Sequence, residues 1–198
     1  EAARHGVLVA AYLHDLGISD IYASPIFHAR AGSRHGYDVV DPNWLNPELG
    51  SDEAFASLIE QSHRQGLGWV QDIVPNHMAY DGRNRMLMDV LETGQASPFF
   101  DFFDIDWQHP YESMRGKILA PFLGGFYGEC LEKGEIQLYY DEHGFGVRYF
   151  SLELPLDVES YSELLTHNLY SLKKRLGAQD LDFIKFLGVL YALKNLPG

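Results

Sequence analysis

The first third of the chain alternates between helix and strand patterns, and this alternation constrains the fold more than any other feature. Apolar residues at helical spacing predict a helix over residues 1–16 that ends at Gly17. A second helix is predicted to begin after Ser51, a residue type that caps helix N-termini. A β-prone run follows each helix, at 18–26 and 68–74, and each run stops at a proline. Such alternation predicts an α/β fold with a parallel sheet.

The rest of the chain lacks this regular alternation. Residues 27–50 contain glycines and prolines and are predicted to form a long loop. Aromatic residues and glycines break the periodicity from residue 78 to about 154, with two short strands predicted on either side of a turn at Glu142. Two helices are predicted after residue 157, one running from Tyr161 to Leu172 and one from Phe183 to Leu193.

Charge and composition exclude several classes of partner. The chain has 15 Lys and Arg against 28 Asp and Glu, a net charge of −13. An acidic surface repels phosphate groups, so we expect neither a nucleic acid nor a membrane partner. The 12 tyrosines, 12 phenylalanines and 3 tryptophans favour neutral ligands with flat faces, such as sugar rings. Cys130 is the one cysteine, which excludes an internal disulfide and fits a cytoplasmic location.

Two polar clusters lie where a parallel sheet places its ligand sites, on loops after the carboxyl ends of strands. They are His35-Gly36-Tyr37-Asp38, and Asp72 with Asn76-His77 in the segment that follows it. Tyr37 could stack on a ring face, and His77 could hydrogen-bond to a ligand hydroxyl. Each cluster also has a purely structural interpretation, because Asp often caps turns and a single His often only satisfies a hydrogen bond.

The sequence supports a metal or nucleotide site less well than it supports a site for a ring with hydroxyl groups. His35, Asp38, Asp72 and His77 carry suitable ligand atoms for zinc, but no His-x-x-x-His or Cys-x-x-Cys spacing accompanies them. The sequence contains no G-x-S-x-G elbow, Walker loop or dinucleotide-binding fingerprint. Zinc binding is therefore the weaker hypothesis, and no metal site is expected.

Taken together, the two clusters resemble segments of one known family. Asp72-Ile-Val-Pro-Asn-His77 resembles the first signature segment of the alpha-amylase family (glycoside hydrolase family 13), and His35-Gly-Tyr-Asp38 resembles the segment of that family whose tyrosine stacks on sugar. Longer segments are similar to one branch of the family, the maltooligosyltrehalose synthases. These segments are Tyr12–Ser19, Tyr22–Phe27, Gly32–Asp41, Leu45–Gly50, Phe102–Trp107 and Arg148-Tyr149.

The resemblance implies a partial (β/α)8 barrel that contains the early strands and helices of the full barrel. On that map residues 1–77 form the barrel part, with residues 68–74 as its third strand. Residues 78–154 would form a B domain inserted after strand three, and residues 155–198 a helical insertion segment. The first strand of the barrel would precede residue 1, and the remainder would follow in a longer chain.

The same resemblance implies an activity and roles for individual residues. Enzymes of this branch convert the reducing-end α-1,4 bond of maltooligosaccharides into the α,α-1,1 bond of trehalose, without a cofactor. Tyr37 would stack on the sugar at the cleavage position, His77 would bind its 6-hydroxyl, and Asp38 its other hydroxyls. The full set comprises Tyr37, Asp38, His77 and His35 as substrate-binding residues, with Asp72 and Asn76 in support. Asn76 matches a calcium ligand of many amylases, but no calcium is inferred.

The family's catalytic carboxylates have no counterpart in this sequence. The nucleophilic Asp belongs to a Gly-x-Arg-x-Asp segment, which is absent here, and the acid/base Glu comes later still. We therefore expect a fragment of a longer enzyme that is inactive and folds poorly alone. Two alternatives remain, namely another glycoside hydrolase or transglycosylase of the alpha-amylase family and a non-catalytic carbohydrate-binding module.

Overall fold

The computed structural model describes the backbone of residues 2–195 and the side chains of residues 9–195. The chain divides into two compact units, one up to Arg85 and one from Met86 onward. The first unit carries the alternating elements and both polar clusters. Its elements are α1 (Ala2–Asp15), β1 (Asp20–Ala23), β2 (Phe27–Ala29), β3 (Val39–Leu45), α2 (Asp52–Arg64) and β4 (Gly68–Gln71).

The parallel sheet predicted from the alternation is present in the first unit. Strands β1 and β4 pair in parallel, from Asp20 opposite Gly68 to Ala23 opposite Gln71. Both strands are shorter than the runs predicted at 18–26 and 68–74. The helix predicted after Ser51 is also confirmed, since the Ser51 hydroxyl accepts the backbone N–H of Ala54 at 3.2 Å.

The two faces of the β1–β4 sheet differ in their surroundings. On one face, the Trp69 ring packs edge-on against Phe55 of α2, with 5.7 Å between the ring centroids. On the other face, Tyr22 and Val70 are exposed. Side chains alternate between the faces of a strand, so Tyr22, Val70 and the following Asp72 point the same way. In the barrel that the resemblance implies, this face, opposite the helix, would point to the interior.

The prediction of a long loop over residues 27–50 is wrong, because two strands form within this range. Strand β2 pairs antiparallel with β3, with Ala29 opposite Val39. The pairing is irregular, since the register shifts on both sides of His28. Pro42 lies within β3 and cannot donate to the ladder. Strand β2 is only three residues long and β3 contains a proline. Neither strand therefore shows the alternation of apolar and polar residues by which a strand is predicted from sequence.

The second unit combines a small antiparallel sheet with short helices. The hairpin predicted around Glu142 is confirmed, and a third strand that the sequence did not reveal joins it. Phe145 and Tyr161 join the sheet to the helices, because the Phe145 N–H donates to the Tyr161 hydroxyl at 2.9 Å. The elements are α3 (Arg85–Thr93), α4 (Tyr127–Glu132), β5 (Ile136–Asp141), β6 (Gly144–Tyr149), β7 (Leu152–Pro155), α5 (Tyr161–Thr166), α6 (Leu169–Leu176) and α7 (Leu181–Lys194).

The helical tail is divided more finely than the sequence predicted. A single helix from Tyr161 to Leu172 was expected, but α5 ends at Thr166 and α6 begins at Leu169. Asn168 lies between them with φ −114° and ψ 22°, outside the helical region. Asn favours such positions because its side chain competes for backbone hydrogen bonds. Within the described part of the chain, no helix has both the length and the apolar character needed to cross a membrane.

Phe150 has an unusual backbone conformation for a large side chain. It follows β6 in the tight turn to β7, and its φ is 52°. Its ring is 68% exposed and lies edge-on to Tyr149 at 4.7 Å. A left-handed conformation costs an L-residue roughly 1–2 kcal/mol and costs glycine nothing. The turn therefore holds a strain that glycine would release.

We predict that Phe150→Gly preserves or raises the free energy of unfolding of the full-length protein. Phe102→Gly is the matched control, because Phe102 is 64% exposed and lies edge-on to Phe99 at 5.3 Å, without a positive φ. The control should lose stability, and the two variants should differ by about 1–2 kcal/mol in urea titrations. Equal losses in the two variants would contradict the strain at Phe150.

Two glycines of the loop between β2 and β3 share a left-handed conformation but differ in the space around them. Gly32 has φ 71° with nothing within 4 Å of the position that a Cβ would take. Gly36 has φ 76°, and a Cβ there would lie 2.3 Å from the carbonyl oxygen of Pro25. Gly36 therefore allows the loop to pass close to the end of β1, immediately before Tyr37.

Gly36→Ala should destabilise the protein more than Gly32→Ala does. Both variants place an L-residue in the left-handed region, but Gly36→Ala also forces the loop away from Pro25. Such a clash costs an additional ~1–3 kcal/mol. Urea unfolding of the two variants measures the difference, and equal losses would show that the loop does not need the close approach.

Candidate functional site

The carboxyl ends of β1 and β4 lie at the same edge of the sheet and form the base of the candidate site. The Asp72 N–H donates to the Ala23 carbonyl at 2.9 Å, which continues the parallel pairing one residue beyond β4. The loop that begins at Ser24 and the segment that begins at Asp72 therefore start side by side. These are the two places where the sequence predicted ligand-binding chemistry.

A hydrogen bond joins the two predicted polar clusters directly. The Tyr37 hydroxyl donates to Oδ2 of Asp72 at 2.5 Å, across 35 residues of sequence. Tyr22 lies on the same face of the sheet as Asp72, and its phenol contributes to lowering the pKa of the Asp72 carboxyl group. Two phenol groups therefore influence one carboxylate, one from β1 and one from the loop that precedes β3.

The interactions of Asp72 with the two phenols determine the protonation states of all three side chains. The Tyr37 hydroxyl, followed by that of Tyr22, holds the pKa of Asp72 below its usual range. In return, the hydrogen bond to Asp72 raises the pKa of both Tyr22 and Tyr37. Asp72 therefore stays ionised and both phenols stay protonated at neutral pH. A carboxylate that is less basic than usual and already accepts the Tyr37 hydroxyl is suited to positioning its neighbours rather than to accepting a proton from a substrate.

His35 and Asp38 lie beside Tyr37 and shape its backbone. The Tyr37 N–H donates to Nδ1 of His35 at 3.0 Å, and the two rings lie 5.9 Å apart with a 36° tilt. Nδ1 of His35 is also 3.8 Å from Oδ1 of Asp38. Asp38 accepts the hydroxyl of Ser33, which in turn accepts the Gly36 N–H at 3.1 Å. These contacts hold the Tyr37 ring at the mouth of the site.

The structure places His77 and Asn76 in the exposed segment after Asp72. Nδ1 of His77 lies 3.1 Å from Oδ1 of Asn76. In the part of the chain that the structure describes, no hydrogen bond joins His77 to Tyr37, Asp38 or Asp72. Both side chains are open to solvent and available to a ligand.

Backbone and ionic contacts fix the segment that carries His77. The Ala79 N–H donates to the Val39 carbonyl at 2.7 Å, which joins the segment to β3. Arg30 donates to Oδ2 of Asp81 at 3.2 Å and to the Tyr80 carbonyl at 3.0 Å. Arg83 also hydrogen-bonds to Asp81, and this arginine lowers the pKa of that carboxyl group to about 2. The two loops of the site are therefore fastened to each other behind His77.

Tyr22 is the member of the site that sequence reasoning missed. The sequence marked it as a β-prone residue and as the first residue of one segment of the resemblance, and one signal could have revealed its role. If β1 and β4 pair in parallel, Tyr22 and Asp72 fall on the same face near the same edge. That deduction needs the register of the two strands, which the sequence alone does not provide.

The geometry suits a neutral, hydroxyl-rich ring. The Tyr37 side chain offers an exposed aromatic face, Tyr37 being 39% exposed, and polar side chains surround it. Among the described residues, no group of three or more His, Cys, Asp or Glu side chains is arranged to hold a metal ion.

A family model matches the region that carries this site, and known proteins match parts of the chain. The family model for the alpha-amylase catalytic domain matches residues 9–143. A putative maltooligosyl trehalose synthase from Mycobacterium tuberculosis (strain CDC 1551 / Oshkosh) is 44% identical over 115 residues, 57% of this chain and 14% of that protein. A cyclomaltodextrinase from Geobacillus thermopakistaniensis (strain MAS1) is 40% identical over 94 residues, 48% of this chain and 15% of that protein.

A solved structure supports the fold over most of the chain. A crystal structure of a maltooligosyl trehalose synthase superimposes with a TM-score of 0.69 and 40% sequence identity, over 75% of this chain and 20% of that one. The chain thus spans a minor part of the proteins it matches, and its fold is part of their (β/α)8 barrel. The family resemblance read from the two polar clusters is confirmed, and the chain belongs to the alpha-amylase family.

Proposed function

We propose that the protein carrying this chain is an intramolecular transglucosylase. It would convert the reducing-end α-1,4 bond of a maltooligosaccharide into an α,α-1,1 bond, forming a trehalose end. The hydrogen bond from Tyr37 to Asp72 carries the proposal, because it fixes an aromatic face at the carboxyl edge of a parallel sheet. The 44% identity to a putative maltooligosyl trehalose synthase supports this reaction within the family.

In this proposal the chain supplies one side of the donor-sugar pocket. Tyr37 stacks on the sugar at the cleavage position, His77 binds its 6-hydroxyl, and Asp38 and His35 line the pocket. Asp72 and Asn76 hold these side chains in place. We place residues 1–77 in the barrel, residues 78–154 in a B domain and residues 155–198 in a helical insertion.

The reacting carboxylates would come from segments outside this chain. An Asp would attack the anomeric carbon while a Glu protonates the departing oxygen of the reducing-end glucose, with the two carboxyl groups about 5–5.5 Å apart. The released glucose would turn in place. Its anomeric hydroxyl would then attack the glycosyl-enzyme bond, losing its proton to the same Glu and freeing the Asp. Excluding water from the pocket would favour this transfer over hydrolysis.

The location proposed for this protein is the cytoplasm. A reducing compartment suits a chain whose one cysteine, Cys130, is buried and unpaired. The substrate is neutral, which suits the net charge of −13.

Incubation of the full-length protein with maltopentaose tests the reaction. We expect non-reducing product to accumulate while the number of reducing ends falls. A rise in reducing ends would instead indicate a hydrolase, the alternative favoured by the 40% identity to a cyclomaltodextrinase. This segment expressed alone should convert nothing, and turnover by it would refute the assignment of the reacting carboxylates to other segments.

Substitutions in the pocket test the residue roles. Tyr37→Ala and His77→Ala should each lower kcat/KM by ~10²-fold, because each side chain would contact the reacting sugar. Tyr12→Ala and His63→Ala are matched controls in exposed positions of α1 and α2, and both should keep wild-type kinetics. Near-normal kinetics for both pocket variants would contradict the pocket assignment.

A further inference from the structure

Tyr22 occupies a position that the proposed function does not yet use. It lies on β1 opposite Val70 of β4, so the next residue on the same face of β4 is Asp72. The Asp72 N–H donates to the Ala23 carbonyl at 2.9 Å, which fixes the Asp72 backbone against the end of β1. The Tyr22 side chain therefore lies beside Asp72 on the neighbouring strand, and its phenol helps to lower the pKa of the Asp72 carboxyl group.

We propose that Tyr22 is a positioning residue of the sugar pocket, which holds the Asp72 carboxylate in the orientation that fixes the Tyr37 ring. The proposal rests on the proposed function for its kinetic consequence but not for the contact itself. Tyr37 follows a loop, whereas Tyr22 belongs to a strand, and strands hold side chains more rigidly than loops do. With Tyr22 present, the carboxylate is held by a second donor from the rigid sheet and cannot rotate freely with the loop.

A purely structural role for Tyr22 fits the geometry poorly. The side chain is 69% exposed, so its burial contributes little to the stability of the first unit. The phenol hydroxyl is the group through which Tyr22 affects the pKa of Asp72. Tyr22→Phe removes that hydroxyl and retains the ring, so it should leave folding intact and loosen only the Asp72–Tyr37 pair.

Tyr22, Tyr37 and Asp72 do not change their protonation states near neutral pH. The hydrogen bond to Asp72 raises the pKa of Tyr22, as it does for Tyr37, and the two phenols hold the pKa of Asp72 below its usual range. All three groups therefore keep their protonation states near neutral pH.

A double-mutant cycle in the full-length protein tests the kinetic consequence. Tyr22→Phe should lower kcat/KM about tenfold, the loss typical of one hydrogen bond to a charged group. The same substitution in an Asp72→Asn background should cause no further loss, because Tyr22 acts through Asp72. Tyr12→Phe, which changes another exposed tyrosine of the first unit, should leave kcat/KM unchanged. Multiplying effects of Tyr22→Phe and Asp72→Asn, or no effect of Tyr22→Phe, would overturn the proposal.

A titration that needs no substrate separates this proposal from the proposed function. Tyrosines labelled with carbon-13 at Cζ report each phenol pKa by NMR, with assignments from Tyr22→Phe and Tyr37→Phe. In Asp72→Asn the pKa of both Tyr22 and Tyr37 should fall. If only the Tyr37 pKa falls, Tyr22 does not share the carboxylate and the proposal fails. If both fall but maltopentaose gives reducing ends, the contact stands and the proposed reaction fails.

Discussion

The parallel pairing of β1 with β4 is the constraint on which the rest of the candidate site depends. It places the ends of two strands, more than forty residues apart in sequence, at one edge of a sheet. Asp72 extends this pairing by one residue and so has a fixed backbone. Its carboxylate accepts the hydroxyl of Tyr37, the residue that the sugar is proposed to contact.

The loop that carries Tyr37 depends on close packing at one glycine. Gly36 passes the carbonyl of Pro25 at a distance that no side chain allows. The loop then enters β3, whose Val39 carbonyl accepts the Ala79 N–H of the segment carrying His77. The close approach of Gly36 to Pro25 and the hydrogen bond between Ala79 and Val39 thus position the two polar clusters. Both are contacts of the backbone.

Much of the first unit could be predicted from the sequence because local signals mark its boundaries. Ser51 caps α2, Gly17 follows α1, and the polar Asp72 lies near the end of a β-prone run. Strands β2 and β3 could not be predicted, since their pairing is short and irregular and includes Pro42. Tyr22 could not be placed either, because its role depends on the register between two strands, and register is a tertiary property.

The helical tail also combines features that local sequence patterns predict with one that they do not. Apolar spacing correctly indicated helices, but it could not show the interruption at Asn168, where a single residue leaves the helical region. Periodicity reports which face of a helix is apolar and not where a helix stops. The positions that local patterns fail to determine are those at which one backbone angle or one contact across the fold decides the structure.

A crystal structure of the full-length protein with a bound maltooligosaccharide tests the central claim most directly. The account predicts a glucose ring in van der Waals contact with the face of Tyr37, the Tyr37 hydroxyl still bonded to Asp72, and the 6-hydroxyl of that glucose within hydrogen-bond distance of His77. A sugar bound away from Tyr37, or a Tyr37 phenol separated from Asp72 while the pocket is occupied, would contradict it.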